Sequence, residues 1–308
     1  MAKFKRVILE VSRNCNLRCI MCGYGKEQFD PAKFMTFDHF TALVGKLAPH
    51  TLGMRLNGRG ESTIHPQFCD MVAYMTTHFP KVGLSLFTNL NFKSDAVIEA
   101  LLAADIQLSY SVDSPDKTTL EYIRRGAKYE TVLSNMEKLK CVKRPPIIVF
   151  TIQQSNCRDI LPIAEFAVAH SCHIIYNAVR GNEEEDALRT ILADRAADIF
   201  TDLNRAKQYI EASGFKTLVP EQILGFKSQY DYWSVNTSGG KARCQNLDDE
   251  LCVAYNGDVT PCNMFNPWLF GNLLEESLEH ILNGERRAAF LAAQSSDEFC
   301  KNCACMSK

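Results

Sequence analysis

The sequence predicts an α/β fold built on a parallel sheet, and two observations carry that expectation. Six short runs rich in Val, Ile and Leu recur over the first two-thirds of the chain, bounded by Gly, Asn, Pro or Ser. Segments with the 3.6-residue period of a helix lie between them. Strands alternating with helices imply a parallel sheet with right-handed crossovers, as a partial barrel or a doubly wound sheet. In either arrangement the ligand site lies beyond the C-terminal ends of the strands.

The elements follow in order. Arg6–Val11 is the first strand. Thr36 and Asp38 stand where an N-cap and a first-turn acid belong, and Phe37, Phe40, Leu43, Val44 and Leu47 share one helical face. Further strands are expected at Gly53–Leu56, Val82–Phe87, Ile106–Val112, Pro146–Ile152 and His173–Asn177. Val132, Asn135, Met136 and Leu139 form another helical face, with Asn135 as its one polar member. A helix over Asp194–Ser213 closes a first domain of residues 1–213. Residues 214–243 are less periodic and read as a bridging region, carrying Tyr230, Tyr232 and Trp233 ahead of Ser238-Gly239-Gly240. Residues 244–308 form a third part, which holds six of the 13 cysteines.

Composition excludes several classes of function. The 308 residues carry 34 Lys+Arg against 36 Asp+Glu, a net charge of -2 that gives no electrostatic footprint for nucleic acid or an anionic membrane. No apolar run reaches the length of a transmembrane helix, and Met1 to Arg6 does not lead into a signal-peptide core. The expected location is cytoplasmic. In that reducing compartment 13 cysteines argue for metal ligation over disulfides.

Directly after the first strand comes Cys15-Asn16-Leu17-Arg18-Cys19-Ile20-Met21-Cys22. Structural zinc wants four ligands, usually as two separated pairs, and no partner pair lies nearby. An iron–sulfur cluster held by three thiolates leaves one iron open for substrate or cofactor. Three reduced core cysteines are the alternative.

This CxxxCxxC spacing, with Met21 before the last Cys, resembles the signature of the radical S-adenosylmethionine (SAM) superfamily. Asn57-Gly58-Arg59-Gly60-Glu61-Ser62 is similar to the family's GGEP segment, with Ser62 in place of Pro. Thr88-Asn89 matches a TNG-like position, Ser111-Val112-Asp113 ends the fourth strand, and Arg124-Arg125-Gly126 also recurs in relatives. Ser-x-Asp alone is more often a turn or a cap. What the resemblance implies is a partial (β/α)6 barrel with a small C-terminal auxiliary-cluster domain. It implies that Cys15, Cys19 and Cys22 hold a [4Fe–4S] cluster, and that Gly60, Glu61, Ser62, Thr88, Asn89, Ser111, Asp113 and Arg125 bind SAM. It also implies reductive cleavage of SAM to a 5'-deoxyadenosyl radical that abstracts hydrogen from a C–H bond. A flavodoxin- or ferredoxin-type electron donor is the expected partner.

The C-terminal part reads Cys244-x12-Gly257-x4-Cys262, then Cys300-x2-Cys303 with Cys305 behind. Asn256-Gly257 signals a type I′ hairpin, so Cys244 and Cys262 would flank it. On chemistry alone a four-thiolate zinc site is the alternative, and a zinc-stabilised binding module is the non-enzymatic reading. The spacing resembles more closely the auxiliary-cluster domain of radical SAM enzymes in its shorter form, twitch. Val259 to Cys262, Gly271-Asn272-Leu273 and a helix around Leu278–Leu282 fit that pattern. The longer form, SPASM, adds three further cysteines for a second auxiliary cluster, and this sequence ends at Lys308 without them. The resemblance implies one auxiliary [4Fe–4S] cluster on Cys244, Cys262, Cys300 and Cys303, with Cys305 able to replace Cys303.

Of the remaining cysteines, Cys69, Cys141, Cys157 and Cys172 read as small buried hydrophobes. Cys252 lies on the first strand of the expected hairpin. Radical SAM epimerases use a cysteine thiol to return a hydrogen atom to a substrate radical, and Cys252 is the candidate donor, against a packed strand residue. Glu183-Glu184-Glu185-Asp186 is a solvated first helical turn or an acidic rim for a cationic substrate. Tyr230, Tyr232 and Trp233 serve core packing or stacking.

Two substrates follow. One is a small polyhydroxy or amino-sugar compound, epimerised or oxidised as by the radical SAM enzymes of aminoglycoside biosynthesis. The other is a ribosomal peptide, epimerised or crosslinked. The position of Cys15 so near the start tilts the expectation to the small molecule, since many peptide-modifying relatives carry a leader-binding domain first.

Overall fold

The computed structural model describes residues 3–23, 27–178, 195–219, 243–244, 246–263, 267–297, 300 and 306–307. In chain order the elements are β1 (Arg6–Leu9), α1 (Phe37–Leu47), β2 (Gly53–Arg55), α2 (Phe68–His78), β3 (Gly83–Thr88), α3 (Asp95–Ala103) and β4 (Ile106–Ser111). They continue as α4 (Lys117–Ile123), α5 (Tyr129–Lys138), β5 (Ile147–Ile152), α6 (Ile160–Ala169), β6 (His173–Ala178), α7 (Ala196–Ala212) and β7 (Thr217–Leu218). Last come β8 (Arg243–Cys244), α8 (Asn246–Asp249), β9 (Glu250–Val253), β10 (Asp258–Thr260), β11 (Gly271–Asn272), α9 (Leu278–Asn283), α10 (Glu285–Ala293) and β12 (Met306–Ser307). All six expected strands are present, each end within two residues of its expected place. The class is α/β, with mostly parallel strands.

The chain divides into two compact units. One comprises Met1–Cys15, Gln28–Leu86 and Trp233–Lys308, the other Asn16–Glu27 and Phe87–Tyr232.

In the first unit the strand order is β11-β10-β9-β1-β2-β3. The pairing register sorts its side chains into two faces, because Cβ atoms alternate along a strand. Leu251, Val7, Met54 and Leu84 form one row across β9, β1, β2 and β3, all apolar and buried. The next row, on the opposite face, is Cys252, Ile8, Arg55 and Ser85. One face is therefore core, and the other carries a thiol, a guanidinium and a hydroxyl.

Helix α1 begins as the sequence implies. The Thr36 hydroxyl accepts from the His39 N–H at 3.2 Å, Asp38 occupies the first turn, and Phe40, Leu43, Val44 and Leu47 are buried. The β9–β10 turn differs from the expected type I′. Gly257 alone has positive φ, at 88°, while Asn256 does not. Gly257 N–H bonds to the Ala254 carbonyl and Ala254 N–H to the Asp258 carbonyl, a type I turn closed by a glycine bulge.

His65 is buried in this unit between the Met35 carbonyl, 2.8 Å from Nε2, and the Gln67 N–H, which donates to Nδ1 at 3.0 Å. Nδ1 accepts, so the ring is neutral, and burial holds its pKa below the usual histidine value. A base with a lowered folded-state pKa takes up more protons when unfolded, so stability falls as pH drops through about 6.5, the unfolded value. Urea midpoints measured from pH 7.5 to 5.5 are expected to fall, and His65→Gln to flatten that slope. An unchanged slope in the variant would assign the effect elsewhere.

In the second unit the order is β4-β5-β6-β7. Tyr110, Ile148 and Ile174 make a buried row, followed by Phe150 and Tyr176, whose rings meet edge-on at 5.7 Å. The opposite face carries Ser109, Ser111 and Thr151. Asn135, the polar member of the α5 face, is explained: its buried Nδ2 donates to the Leu90 and Phe92 carbonyls at 2.9 and 2.8 Å. Cys157 and Cys172 are buried as expected, but Cys69 is half-buried and Cys141 exposed. Cys141 falls just past the C-terminus of α5, beyond its apolar face.

Candidate active site

The first unit supplies Cys15 and the loop that follows β2. Gly60 lies so close to the 12–14 backbone that a Cβ there would stand 2.5 Å from both the Ser12 and Asn14 carbonyl oxygens. The Glu61 N–H donates to the same Asn14 carbonyl at 2.8 Å, tying this loop to the one that leads into Cys15. The Glu61 carboxylate caps the next turn, accepting from Thr63 Oγ1 at 2.7 Å, and is buried. Ser62 is fully buried, and its hydroxyl donates to the Leu56 carbonyl at 2.5 Å. That bond closes the loop on the end of β2 and gives Ser62 a structural task.

The second unit holds Cys19 and Cys22, with the Cys22 N–H donating to the Cys19 carbonyl. Asn89 Nδ2 donates to Asn16 Oδ1 at 2.9 Å, and Asn16 Nδ2 to the Asn91 carbonyl at 2.6 Å, which pins the cysteine loop to the end of β3. The Thr88 hydroxyl accepts from the Leu90 N–H, and Leu90 is held at φ 58°, a conformation that favours glycine. Ser111 is half-buried on the polar face of β4.

Asp113 is fully buried. It accepts from the Thr151 N–H at 2.7 Å and pairs with Arg124 at 2.7 Å. Arg124 Nη1 lies 3.9 Å from Cys19 Sγ. Burial pushes the Cys19 thiol up and Arg124 pulls it back, so the guanidinium favours the thiolate that ligation needs. Arg125, the sequence-based candidate, is exposed, and its carbonyl accepts from the Arg18 N–H at 2.7 Å. Adjacent arginines look alike in sequence, and the buried partner Asp113 is what separates them.

The C-terminal thiols lie in the first unit. Cys244 ends β8, Cys262 follows β10, and Cys300 is buried with its N–H on Asp297 Oδ1 at 3.0 Å. Burial, Asp297, and then the Cys262 and Cys244 thiols push Cys300 up to about 12. Cys252 is buried on β9, and its thiol is held well above the usual range by burial and by Cys262, against the pull of Arg55 and Arg59. Cys303, Cys305, Glu183, Glu184, Glu185, Asp186, Tyr230, Tyr232 and Trp233 lie outside the described residues.

The family model described as "Radical SAM superfamily" matches residues 9–155, and the SPASM model, "Iron-sulfur cluster-binding domain", matches residues 244–304. The chain belongs to the radical SAM superfamily. A tungsten-containing aldehyde ferredoxin oxidoreductase cofactor-modifying protein of Pyrococcus furiosus is 23% identical, over 93% of this chain and 83% of its own length. The sporulation killing factor maturation protein SkfB of Bacillus subtilis is 22% identical, over 97% and 68%. The fold is similar to that of Streptococcus suis SuiB bound to S-adenosylmethionine, with a TM-score of 0.72 at 13% identity, covering 98% of this chain and 71% of that one. It is also similar to BtrN in complex with AdoMet and 2-DOIA, at TM-score 0.54 and 15% identity over 98% and 94%.

The protein is thus a radical SAM enzyme, whose domains imply a SAM-binding [4Fe–4S] cluster, SAM and auxiliary iron–sulfur. Among the described residues no three His, Cys, Asp or Glu side chains are gathered into a ready metal-binding group. The residues fit these groups by donor chemistry: thiols on a loop between elements, a guanidinium at Cys19, and a glycine whose missing Cβ lets two loops meet. No helix among the described residues is long and apolar enough to cross a membrane.

Proposed function

We propose that this radical SAM enzyme acts on a C–H bond of a small polyhydroxy or amino-sugar-type substrate and epimerises it, with Cys252 as hydrogen donor. In this reading Cys15, Cys19 and Cys22 hold the SAM cluster, and Gly60, Glu61, Ser62, Thr88, Asn89, Ser111, Asp113 and Arg125 form the SAM-binding surface. Cys244, Cys262, Cys300 and Cys303 hold one auxiliary cluster. Residues 1–213, 214–243 and 244–308 serve as barrel, bridge and auxiliary part. When bound, the first cluster supplies the electron that cleaves SAM to methionine and a 5'-deoxyadenosyl radical, and an auxiliary cluster can accept one electron from a substrate radical.

The observation that carries the reading is the Cys252 thiol. It shares the polar face with Arg55 and Ser85, and burial keeps it protonated at neutral pH. Removal of one hydrogen atom by the SAM-derived group would leave a radical on the substrate carbon. Cys252 S–H then gives a hydrogen atom to the opposite face of that carbon and is left as a thiyl. One electron and one proton restore the thiol, the electron coming from a flavodoxin- or ferredoxin-type donor.

The test is a turnover in heavy water. One deuterium in a product otherwise isomeric with substrate is expected, and Cys252→Ala should still form deoxyadenosine but no epimer. Normal epimerisation by Cys252→Ala would sink the donor role. A product lighter by two mass units would instead mark oxidation at the carbinol carbon.

A second reading, maturation of a ribosomal peptide, is favoured by the likeness to SkfB, a maturation protein. Turnover of a precursor peptide with no turnover of amino sugars would select it.

A further inference from the structure

We propose that Arg59 is a positioning residue that links the loop packed on the Cys15 segment to the auxiliary thiols and sets the electrostatic environment at Cys262. The inference rests on Cys262 being an auxiliary-cluster ligand.

The geometry lies wholly within the first unit. Arg59 is fixed at its backbone: its N–H donates to Glu10 Oε2 at 2.9 Å. Glu10 is itself buried, receives Arg13 Nε at 2.9 Å, and donates its own N–H to the Val253 carbonyl at 2.9 Å. Arg13 in turn lies over the Tyr255 ring, 4.8 Å from its centroid, in the turn that joins β9 to β10. Gly58 is required for this approach, because a Cβ there would stand 2.7 Å from Glu10 Oε2. The backbone of residues 58–61 is thus held at both ends, by Glu10 at Arg59 and by Asn14 at Glu61.

The Arg59 side chain leaves this loop and reaches the other cysteine set. Its Nε makes a long hydrogen bond, 3.4 Å, to the carbonyl of Asn263, the residue after Cys262. A fixed cation beside thiolate ligands stabilises the reduced, more negative state of an iron–sulfur centre and raises its reduction potential. Because the same residue anchors the 58–61 loop, a ligand that orders that loop also restrains the cation, and the coupling acts in both directions.

The experiment uses the anaerobically reconstituted full chain, with iron counted per chain and both cluster potentials read by EPR-monitored titration, with and without SAM. Arg59→Met is expected to lower the auxiliary potential, to leave the SAM-cluster potential in place, and to abolish any SAM-induced shift of the auxiliary one. Arg59→Lys, which keeps the charge, should restore most of the potential. An auxiliary potential unmoved in Arg59→Met overturns the proposal. If Arg59→Met loses auxiliary iron, retention of iron in Arg59→Lys supports the electrostatic role, and loss from both variants overturns it in favour of plain packing. Cys262→Ala separates the two readings: an auxiliary signal that survives it removes Cys262 as ligand, whatever Arg59 does.

Discussion

Replacing Asp113 by Ala is expected to cost about 3–5 kcal/mol of stability, the range for stripping one partner from a buried ion pair. Asp113 is fully buried and Arg124 nearly so, and no solvent is at hand to take over the lost charge. The Thr151 N–H would lose its acceptor as well. Arg124, released from its anchor, would no longer be aimed at Cys19. Urea unfolding followed by circular dichroism measures the first effect, and iron content after reconstitution the second. Asp113→Ala combined with Arg124→Met should recover part of the stability, since it leaves no lone buried cation, but not the iron loading. A single variant within about 1 kcal/mol of the parent would mean that the pair is solvated in solution.

Gly60→Ala is the second large effect. The new methyl would meet the Ser12 and Asn14 carbonyl oxygens at 2.5 Å and the Arg13 carbonyl carbon at 2.6 Å, and all three are backbone atoms. Neither loop can yield by rotating a side chain, so one must move. The expected stability loss is about 1–3 kcal/mol, the usual cost of overpacking. SAM affinity by calorimetry should fall by more than about tenfold, or about 1.4 kcal/mol. Gly45→Ala is the control: it lies inside α1, meets nothing within 4 Å, and should stabilise by about 0.5–1 kcal/mol. If both variants bound SAM like the parent, Gly60 would have no part in the SAM site.

Much of this was legible because its causes are local. β-branched runs bounded by turn formers specify the six strands, and an N-cap threonine with an apolar stripe specifies α1. The cysteine spacing carries the family, since ligation depends on residue type and separation. Long-range pairing was not legible. The parallel pairing of β9 with β1 joins Arg6 to Glu250, 244 residues on, and no local pattern encodes it. The turn at Asn256-Gly257 was misassigned because the dipeptide fits both a two-residue turn and a bulged one, and strand register decides between them. The same limit hides the partners of Ser62 and Arg124. A hydroxyl looks available until Leu56 is seen to accept from it, and which of two arginines is buried depends on an aspartate eleven positions away.

The β1–β9 pairing also governs how the protein is made. A ribosome adds roughly 5–20 residues per second, so β1 waits on the order of 10–50 s for its neighbour to be synthesised. Through that interval one edge of β1 has no partner from β9, and a bare strand edge invites pairing with another chain. The nascent protein therefore has a window in which a chaperone that shields the edge decides between soluble product and aggregate. Slower translation of residues 10–250 would lengthen that window and lower the yield of folded enzyme.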